Sequence, residues 1–240
     1  MKQKKTKIIG HRGFMSQYVE NSLEGFIQAA ELGIDGVELD VHLTRDGEVV
    51  VHHDETINRI TTGSGYIQAL TVEELKQYPF RSRKASGETI PTLEEVLIEL
   101  SRWPDFIVNI ELKTHRVLYK SIEEKVYQLV KAYGDNLQII YSSFHLPTLI
   151  RMKQLDETSE VAFITQQQLP HMADYVKILG LDGIHPRKNL LLHSPEAFQN
   201  CGALRPWTVN RLGEMRRFFA SNVDAIITKF PERALRLRDG

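Results

Sequence analysis

Apolar and polar residues alternate most clearly between Gly36 and Asp54, in the stretch GVELDVHLTRDGEVVVHHD. Val37, Leu39 and Val41 alternate with Glu38 and Asp40, the period of two expected of a half-buried strand. Asp46-Gly47 is a dipeptide favoured by two-residue type I′ hairpins, so a second strand is expected to run back to Asp54. With those two residues as the loop, Arg45 opposes Glu48 and Thr44 opposes Val49. The same register sets Asp40 opposite His53 and Val41 opposite His52. Cross-strand partners share a face. Glu38, Asp40 and His53 are therefore expected on one side, and Val37, Leu39 and His52 on the other. A one-residue slip would exchange the two histidines.

The rest of the chain alternates between the two periods. Lys7–Gly10 reads as a strand ending in His11-Arg12-Gly13. Asn21–Leu32 reads as a helix with Asn21 as N-cap, Glu24 completing a capping box, and Phe26, Ala29 and Ala30 facing inward. Residues 55–91 are rich in Thr, Gly and charge and carry only a short helix near Thr71–Gln77. Regularity resumes with a helix over Thr92–Arg102, a strand over Phe106–Leu112, and a helix over Leu118–Tyr133 whose apolar stripe starts at Leu118. Strands over Gln138–Ser142, Glu160–Ile164, Asp182–His185, Ala203–Val209 and Asp224–Thr228 then alternate with helices over His145–Gln154, Pro170–Leu179, Pro195–Asn200, Asn210–Ala220 and Pro231–Leu237. Eight strands, each followed by helix, predict a TIM (β/α)8 barrel: one catalytic domain over 1–240, with 55–91 inserted after strand two. An open doubly wound sheet is the competitor, but the chain has neither G-x-G-x-x-G nor a Walker A loop.

Composition narrows the classes. The chain has 240 residues, 42% of them hydrophobic and 25% charged, with a net charge of −1. That is an ordinary globular balance without the basic footprint of a nucleic-acid binder. One cysteine, Cys201, permits no internal disulfide and fits a cytoplasmic setting. The start, MKQKKTKIIG, carries Lys2, Lys4, Lys5 and Lys7 but no apolar segment of signal-peptide length. No apolar run approaches the roughly 20 residues of a membrane span, so no stable membrane anchor is expected.

In a barrel of this kind the C-terminal ends of the strands carry the chemistry. Strand one ends in His11-Arg12, strand two carries Glu38 and Asp40, and its return strand brings His53. Strand three presents Asn109, Glu111 and Lys113 on one face. Three carboxylates brought together need a cation, and an all-oxygen set suits Ca²⁺ or Mg²⁺. Pairing with Lys113 or Arg12 is the plainer alternative for any one of them alone. His11 and His53 have the residue type for acid–base work. Arg12 and Lys113 supply positive charge for an anion, with phosphate the natural fit. Gly10 and Gly13 would let the backbone approach a ligand closely. His42, His52 and His115 have no converging partners in the pattern.

Taken in order, these residues resemble the glycerophosphodiester phosphodiesterase family. The resemblance rests on His11-Arg12-Gly13, Glu20-Asn21-Ser22, Glu38-Leu39-Asp40-Val41, Thr44-Arg45-Asp46-Gly47 and Val50-Val51-His52-His53-Asp54. It continues through Arg59-Ile60-Thr61-Thr62-Gly63, Ile90-Pro91-Thr92-Leu93, Asn109-Ile110-Glu111-Leu112-Lys113, Ser143-Phe144, Trp207-Thr208-Val209-Asn210 and Ile226-Ile227-Thr228. It implies that His11 and His53 are the acid–base pair and that Glu38, Asp40 and Glu111 bind a divalent cation. Arg12 and Lys113 would hold the phosphate of a small glycerophosphodiester, and Trp207 would line the glycerol pocket. Two departures are Ser22, where the family commonly has Thr, and Lys229, where it often has Asp or Asn. A lysophospholipase D acting on the same barrel, or a non-catalytic barrel that binds a phosphometabolite, would share much of this pattern.

Overall fold

The computed structural model describes residues 5–82 and 87–240. Lys2 and Lys4 of the basic start lie outside these residues. Parallel strands β1 (Lys7–His11), β2 (Gly36–Leu43), β4 (Ile107–Leu112), β5 (Gln138–Ser143), β6 (Glu160–Thr165), β7 (Gly183–Pro186), β8 (Ala203–Leu204) and β9 (Ala225–Thr228) run in the order β8-β7-β6-β5-β4-β2-β1-β9. The remaining edges meet through backbone bonds, Asp224 N–H to Leu204 O at 2.9 Å and Ile227 N–H to Pro206 O at 3.0 Å. The result is a TIM barrel. A ninth strand, β3 (Val49–Val51), pairs antiparallel with β2 outside the ring.

Helices α1 (Leu23–Glu31), α3 (Leu93–Leu100), α4 (Ile122–Tyr133), α5 (Leu146–Leu155), α6 (Met172–Ile178), α7 (Lys188–His193), α8 (Leu212–Phe219) and α9 (Pro231–Asp239) follow the strands around the outside. Among the described residues no helix is long and apolar enough to cross a membrane.

Every residue of β2 is buried, where the alternation suggests a strand open to solvent on one face. Val37, Leu39, Val41 and Leu43 join the core between sheet and helices, while Glu38 and Asp40 face the barrel interior. The polar half of the alternation marks an interior that carries charge. The floor of that interior is apolar, built from Ile9, Ile107, Ile140, Ala162, Ala225 and Ile227. Gly36 sits in this layer between Ile9 and Ile107. A Cβ there would stand 2.4 Å from both Ile107 Cβ and Ile107 O. Gly36→Ala is therefore expected to destabilise the fold by about 1–3 kcal/mol or more, because the clash is with backbone that cannot rotate away. Urea unfolding of the two proteins checks this.

The hairpin differs from the two-residue turn. Its register pairs Val41 with Val51, His42 with Val50 and Leu43 with Val49, one residue away from the pairing that Asp46-Gly47 suggests. The loop is Arg45-Asp46-Gly47, closed by Thr44 N–H to Glu48 O at 3.0 Å, with Gly47 at φ +82°. A three-residue loop with a left-handed glycine needs the same dipeptide as the shorter turn. Thr44 Oγ1 decides between them by bonding Asp46 Oδ1 at 2.5 Å and accepting from Glu48 N–H at 2.9 Å.

Between β3 and α3 the chain builds a second small core from Val50, Ile57, Ile67, Leu75, Phe80 and Ile90. It contains the short helix α2 (Val72–Leu75), capped by Thr71. Other boundaries shift as well. Ser22, not Asn21, caps α1 by accepting from Gly25 N–H. Leu118 lies outside α4 and is 76% exposed. Beyond Leu204 the expected strand ceases to be regular, although Trp207 N–H still donates to Pro186 O at 3.1 Å. The helix α7, before Pro195, has no counterpart in the sequence pattern.

Candidate active site

At the C-terminal ends of the strands a cavity of about 240 Å³ is lined by His11, Arg12, Glu38, His53, Glu111, Lys113 and Trp207, among others. Asp40 stands behind them, 1% exposed. The register of β2 against β4 explains the carboxylate cluster, since Glu38 lies beside Asn109 and Asp40 beside Glu111. One oxygen from each of Glu38, Asp40 and Glu111 can be chosen so that all three lie within 4.8 Å of one another, and all three residues are buried.

The cations of the site are bound into this cluster. Lys113 Nζ donates to Glu111 Oε1 at 2.8 Å and lies 3.3 Å from Asp40 Oδ1. Arg12 Nη1 donates to Glu20 Oε1 at 2.8 Å, and Arg12 Nε lies 3.4 Å from Asp40 Oδ2. The Arg12 backbone N–H donates to Glu38 Oε2 at 2.9 Å. Arg12 adopts φ +52° and Asn21 φ +56°, and such left-handed non-glycine residues gather at functional sites. Asn21 Nδ2 donates to Asp40 Oδ2 at 2.8 Å, so it holds a carboxylate instead of capping a helix. Chain geometry also requires glycine at both positions: a Cβ on Gly10 would meet Gly13 O at 2.7 Å, and one on Gly13 would meet Gly25 O at 3.0 Å.

The carboxylates divide electrostatically. Burial raises Glu38, and the neighbouring Asp40 and Glu111 raise it further. Burial likewise raises Glu111, against the pull of Lys113. For Asp40 burial is outweighed by Lys113 and Arg12, which hold it well below the usual carboxylate range. Two carboxylates pushed toward protonation beside one held ionised show more negative charge than Lys113 and Arg12 offset. This excess, together with three buried hard oxygens, fits a divalent cation such as Ca²⁺ or Mg²⁺.

His53 reaches the cavity by a route the hairpin reading did not contain. The shifted register continues to His52, whose N–H donates to Asp40 O at 2.9 Å, and there the ladder ends. His52 is wholly buried, its Nε2–H donating to Thr56 O at 3.0 Å. The chain then turns and His53 lines the cavity. His42 supports this turn. Its Nε2–H donates to His53 O at 3.2 Å, and its Nδ1 accepts from Tyr119 O–H at 2.8 Å. Burial pushes His42 down to about 4, which keeps it the neutral ring this pairing needs. His11 is pushed down to about 3, first by burial and then by Arg12. Its Nε2 lies 3.9 Å from Glu38 Oε2 and its Nδ1 3.3 Å from Met15 Sδ.

The opposite wall is aromatic. Phe144 meets Trp207 edge to face at 5.7 Å, and His115 packs on Phe144 at 5.6 Å. His115 thus belongs to the cavity, although the sequence pattern gives it no partner. Trp207 Nε1–H donates to His185 O at 2.8 Å. Asn109 and His185 line the same cavity, and among the described residues neither side-chain polar atom of Asn109 nor His185 Nδ1 has a hydrogen-bond partner.

His185 accepts from Arg205 Nη1 at 3.4 Å, and burial, with Arg205, holds it well below its ordinary value of 6.5. A histidine depressed in the fold stabilises the protein fully above its unfolded value, and that stability is lost as pH falls below about 6.5. Urea midpoints are therefore expected to drop between pH 7 and pH 5. A midpoint constant over that interval would contradict a neutral, buried His185.

A barrel with carboxylates, imidazoles and cations converging at its C-terminal mouth has the architecture of a TIM-barrel enzyme. The sequence pattern of the Glycerophosphoryl diester phosphodiesterase family matches residues 11–233. A glycerophosphodiester phosphodiesterase of Caldanaerobacter subterraneus is 40% identical over 97% of this chain and 98% of its own length. One of Bacillus altitudinis is 36% identical over 98% of each chain. A solved Oleispira antarctica phosphodiesterase, in complex with the product sn-glycerol-3-phosphate, superposes with a TM-score of 0.91 and 26% identity over 98% of each chain. The chain belongs to the glycerophosphoryl diester phosphodiesterase family, and as such it is a phosphoric diester hydrolase.

Proposed function

We propose that this enzyme hydrolyses a small glycerophosphodiester to an alcohol and sn-glycerol 3-phosphate. The observation that carries the reading is the meeting of His11, His53, Glu38, Glu111, Arg12 and Lys113 around one cavity, with Asp40 clustered on the two carboxylates from behind. The product bound to the Oleispira relative supports the choice of substrate. Glu38, Asp40 and Glu111 would hold a divalent cation, which when bound polarises the phosphoryl oxygens and orients the glycerol hydroxyls.

The side chains divide the remaining work. Arg12 and Lys113 bind the phosphate oxygens and fix the phosphorus relative to the two imidazoles. His11 is held neutral by burial and by Arg12, so it starts as a proton acceptor. It takes a proton from the nucleophile as the new P–O bond forms and the P–O bond to the alcohol breaks. The nucleophile is water, or the neighbouring glycerol hydroxyl, whose cyclic phosphate water then opens. His53 donates Nδ1–H to Asp54 Oδ1 at 2.7 Å. With Nδ1 engaged by that carboxylate, Nε2 is the nitrogen that faces the reaction and delivers a proton to the departing alcohol. Trp207 and Phe144 form the apolar wall against which the glycerol backbone lies. The side-chain amide of Asn109 and Nδ1 of His185, which have no hydrogen-bond partner among the described residues, are available to its hydroxyls.

The cavity favours a headgroup over an acyl chain, since about 240 Å³ lies below the roughly 300–1,000 Å³ of drug-sized ligand sites. Purified protein with glycerophosphocholine and with lysophosphatidylcholine separates the two. Faster release of choline and sn-glycerol 3-phosphate from glycerophosphocholine is expected. Preference for the lysolipid would put a lysophospholipase D in its place, and release of phosphocholine would overturn the bond assignment.

A further inference from the structure

His53 and Arg12 stand on different elements, yet a continuous run of alternating charges joins them. His53 Nδ1 lies 2.7 Å from Asp54 Oδ1. Asp54 Oδ2 accepts from Arg59 Nε at 2.6 Å. Arg59 then grips Glu20 with both terminal nitrogens, Nη1 to Oε2 at 2.9 Å and Nη2 to Oε1 at 2.7 Å. Glu20 Oε1 also accepts from Arg12 Nη1 at 2.8 Å, and Arg12 continues to Asp40.

From this geometry we infer that Arg59 is a positioning residue: bridging Asp54 and Glu20, it sets the orientation of the His53 ring and of the Arg12 guanidinium together. The inference rests on the proposed roles of those two groups in phosphodiester cleavage.

The bridge uses what is particular to arginine. Three donors of one planar fork serve two carboxylates at once, which an ammonium cannot match. The arrangement also fixes a tautomer. An ionised Asp54 can only accept, so the hydrogen on Nδ1 belongs to His53, and Nε2 is the nitrogen left for proton exchange. Both carboxylates are held ionised. Glu20 is pushed down to about 2, where burial is outweighed by the hydrogen bond from Arg59 and the charge of Arg12. Asp54 is held well below its ordinary value, where burial is outweighed by the hydrogen bonds from Arg59 and His53. As a purely structural element the bridge is a poor investment, because the Arg59 side chain is 45% exposed and surface ion pairs contribute little to stability.

The bridge also places a residue of the inserted segment in contact with both ends of the site. Asp54 and Arg59 follow β3, whereas Glu20 and Arg12 belong to the loop after β1. Packing of the second core against the barrel mouth is thereby transmitted to two groups that bind or exchange protons with substrate.

The test compares Arg59→Met, Arg59→Lys, Asp54→Ala and the double variant Arg59→Met/Asp54→Ala, with glycerophosphocholine turnover and two-bond ¹H–¹⁵N spectra of the imidazoles. Each single variant is expected to lose about 10- to 100-fold in kcat, the scale on which groups that orient active-site ligands act. Arg59→Met should also raise KM through Arg12, whereas Asp54→Ala should leave KM near that of the parent. The double variant is expected to be no worse in kcat than the poorer single, because both act through His53. His53 should be Nδ1-protonated in the parent and a mixture of tautomers in Arg59→Met and Asp54→Ala. Arg59→Lys keeps the charge but not the fork and should behave as Arg59→Met does. Full recovery by Arg59→Lys, multiplicative losses in the double variant, or an unchanged His53 spectrum would each overturn the inference. A parent protein that turns over no glycerophosphodiester would overturn the proposed function instead, and the spectra would still decide the bridge.

Discussion

His53→Ala is expected to lower kcat by about 10²- to 10⁴-fold, the usual contribution of a positioned general acid or base, with the unfolding midpoint almost unchanged. His52→Ala is expected to do the reverse. His52 is wholly buried and donates to Thr56 O. Its loss leaves a cavity and an unpaired carbonyl, costing on the order of 1–3 kcal/mol of stability. The comparison is sharp because the residues are adjacent and chemically identical. What separates them is the end of the β2–β3 ladder at His52 and the turn that follows, pinned by His42 on the His53 carbonyl. Turnover and urea unfolding of both variants check it. Loss of kcat in His52→Ala with retention in His53→Ala would require the site to be redrawn around the other ring.

Glu38→Gln is expected to separate activity from stability in a second way. In the metal-free protein Glu38 is strained by burial and by the charges of Asp40 and Glu111, so a neutral amide of the same shape relieves repulsion. The metal-free midpoint should be equal to or above that of the parent. The shift in midpoint on adding Ca²⁺ or Mg²⁺ should shrink or vanish, because stabilisation by a ligand follows its affinity for the folded state. Activity should fall at least roughly 100-fold, the loss expected when several kcal/mol of electrostatic stabilisation disappear. Thermal unfolding with and without metal, beside turnover, measures all three. A variant that keeps both the metal-induced shift and the activity would show that the carboxylate cluster is a structural network with Lys113 and Arg12, the plainer reading of those residues.

Much of the architecture is legible in the sequence because it depends on local periodicity. Eight strands with helices between them are visible in the apolar pattern, and the alternation in β2 already places Glu38 and Asp40 on one side. What is lost lies where one local signal serves two structures. Asp46-Gly47 suits a two-residue and a three-residue turn, and the choice rests on Thr44 bonding Asp46 and Glu48. Asn21 and Ser22 are both good caps. Only the demand of Asp40 for a donor 19 residues away removes Asn21 from the helix. Leu118 continues the stripe of α4 by spacing, yet Ser121 takes a left-handed conformation and starts the helix after it.

The same limit applies within the site. His11, Arg12, Glu38, Glu111 and Lys113 are found because strand ends are where a barrel keeps its chemistry. Arg59 and Glu20 are 39 residues apart, and no periodicity links them. The alternation puts Asn109 on the same face as Glu111 and Lys113, but only the packed interior reveals that its side-chain amide has no hydrogen-bond partner among the described residues. His42 and His115 read as inert in the sequence, since their partners Tyr119 and Phe144 come from later parts of the chain.

The central claim is most directly tested by measuring release of sn-glycerol 3-phosphate from glycerophosphocholine by the chelator-treated protein, titrated separately with Ca²⁺ and Mg²⁺. Negligible turnover in excess EDTA, restored by at least one of the two cations in a saturable way, is the result this account predicts. Undiminished turnover in EDTA, or none with either cation while other glycerophosphodiesters also remain intact, would contradict it.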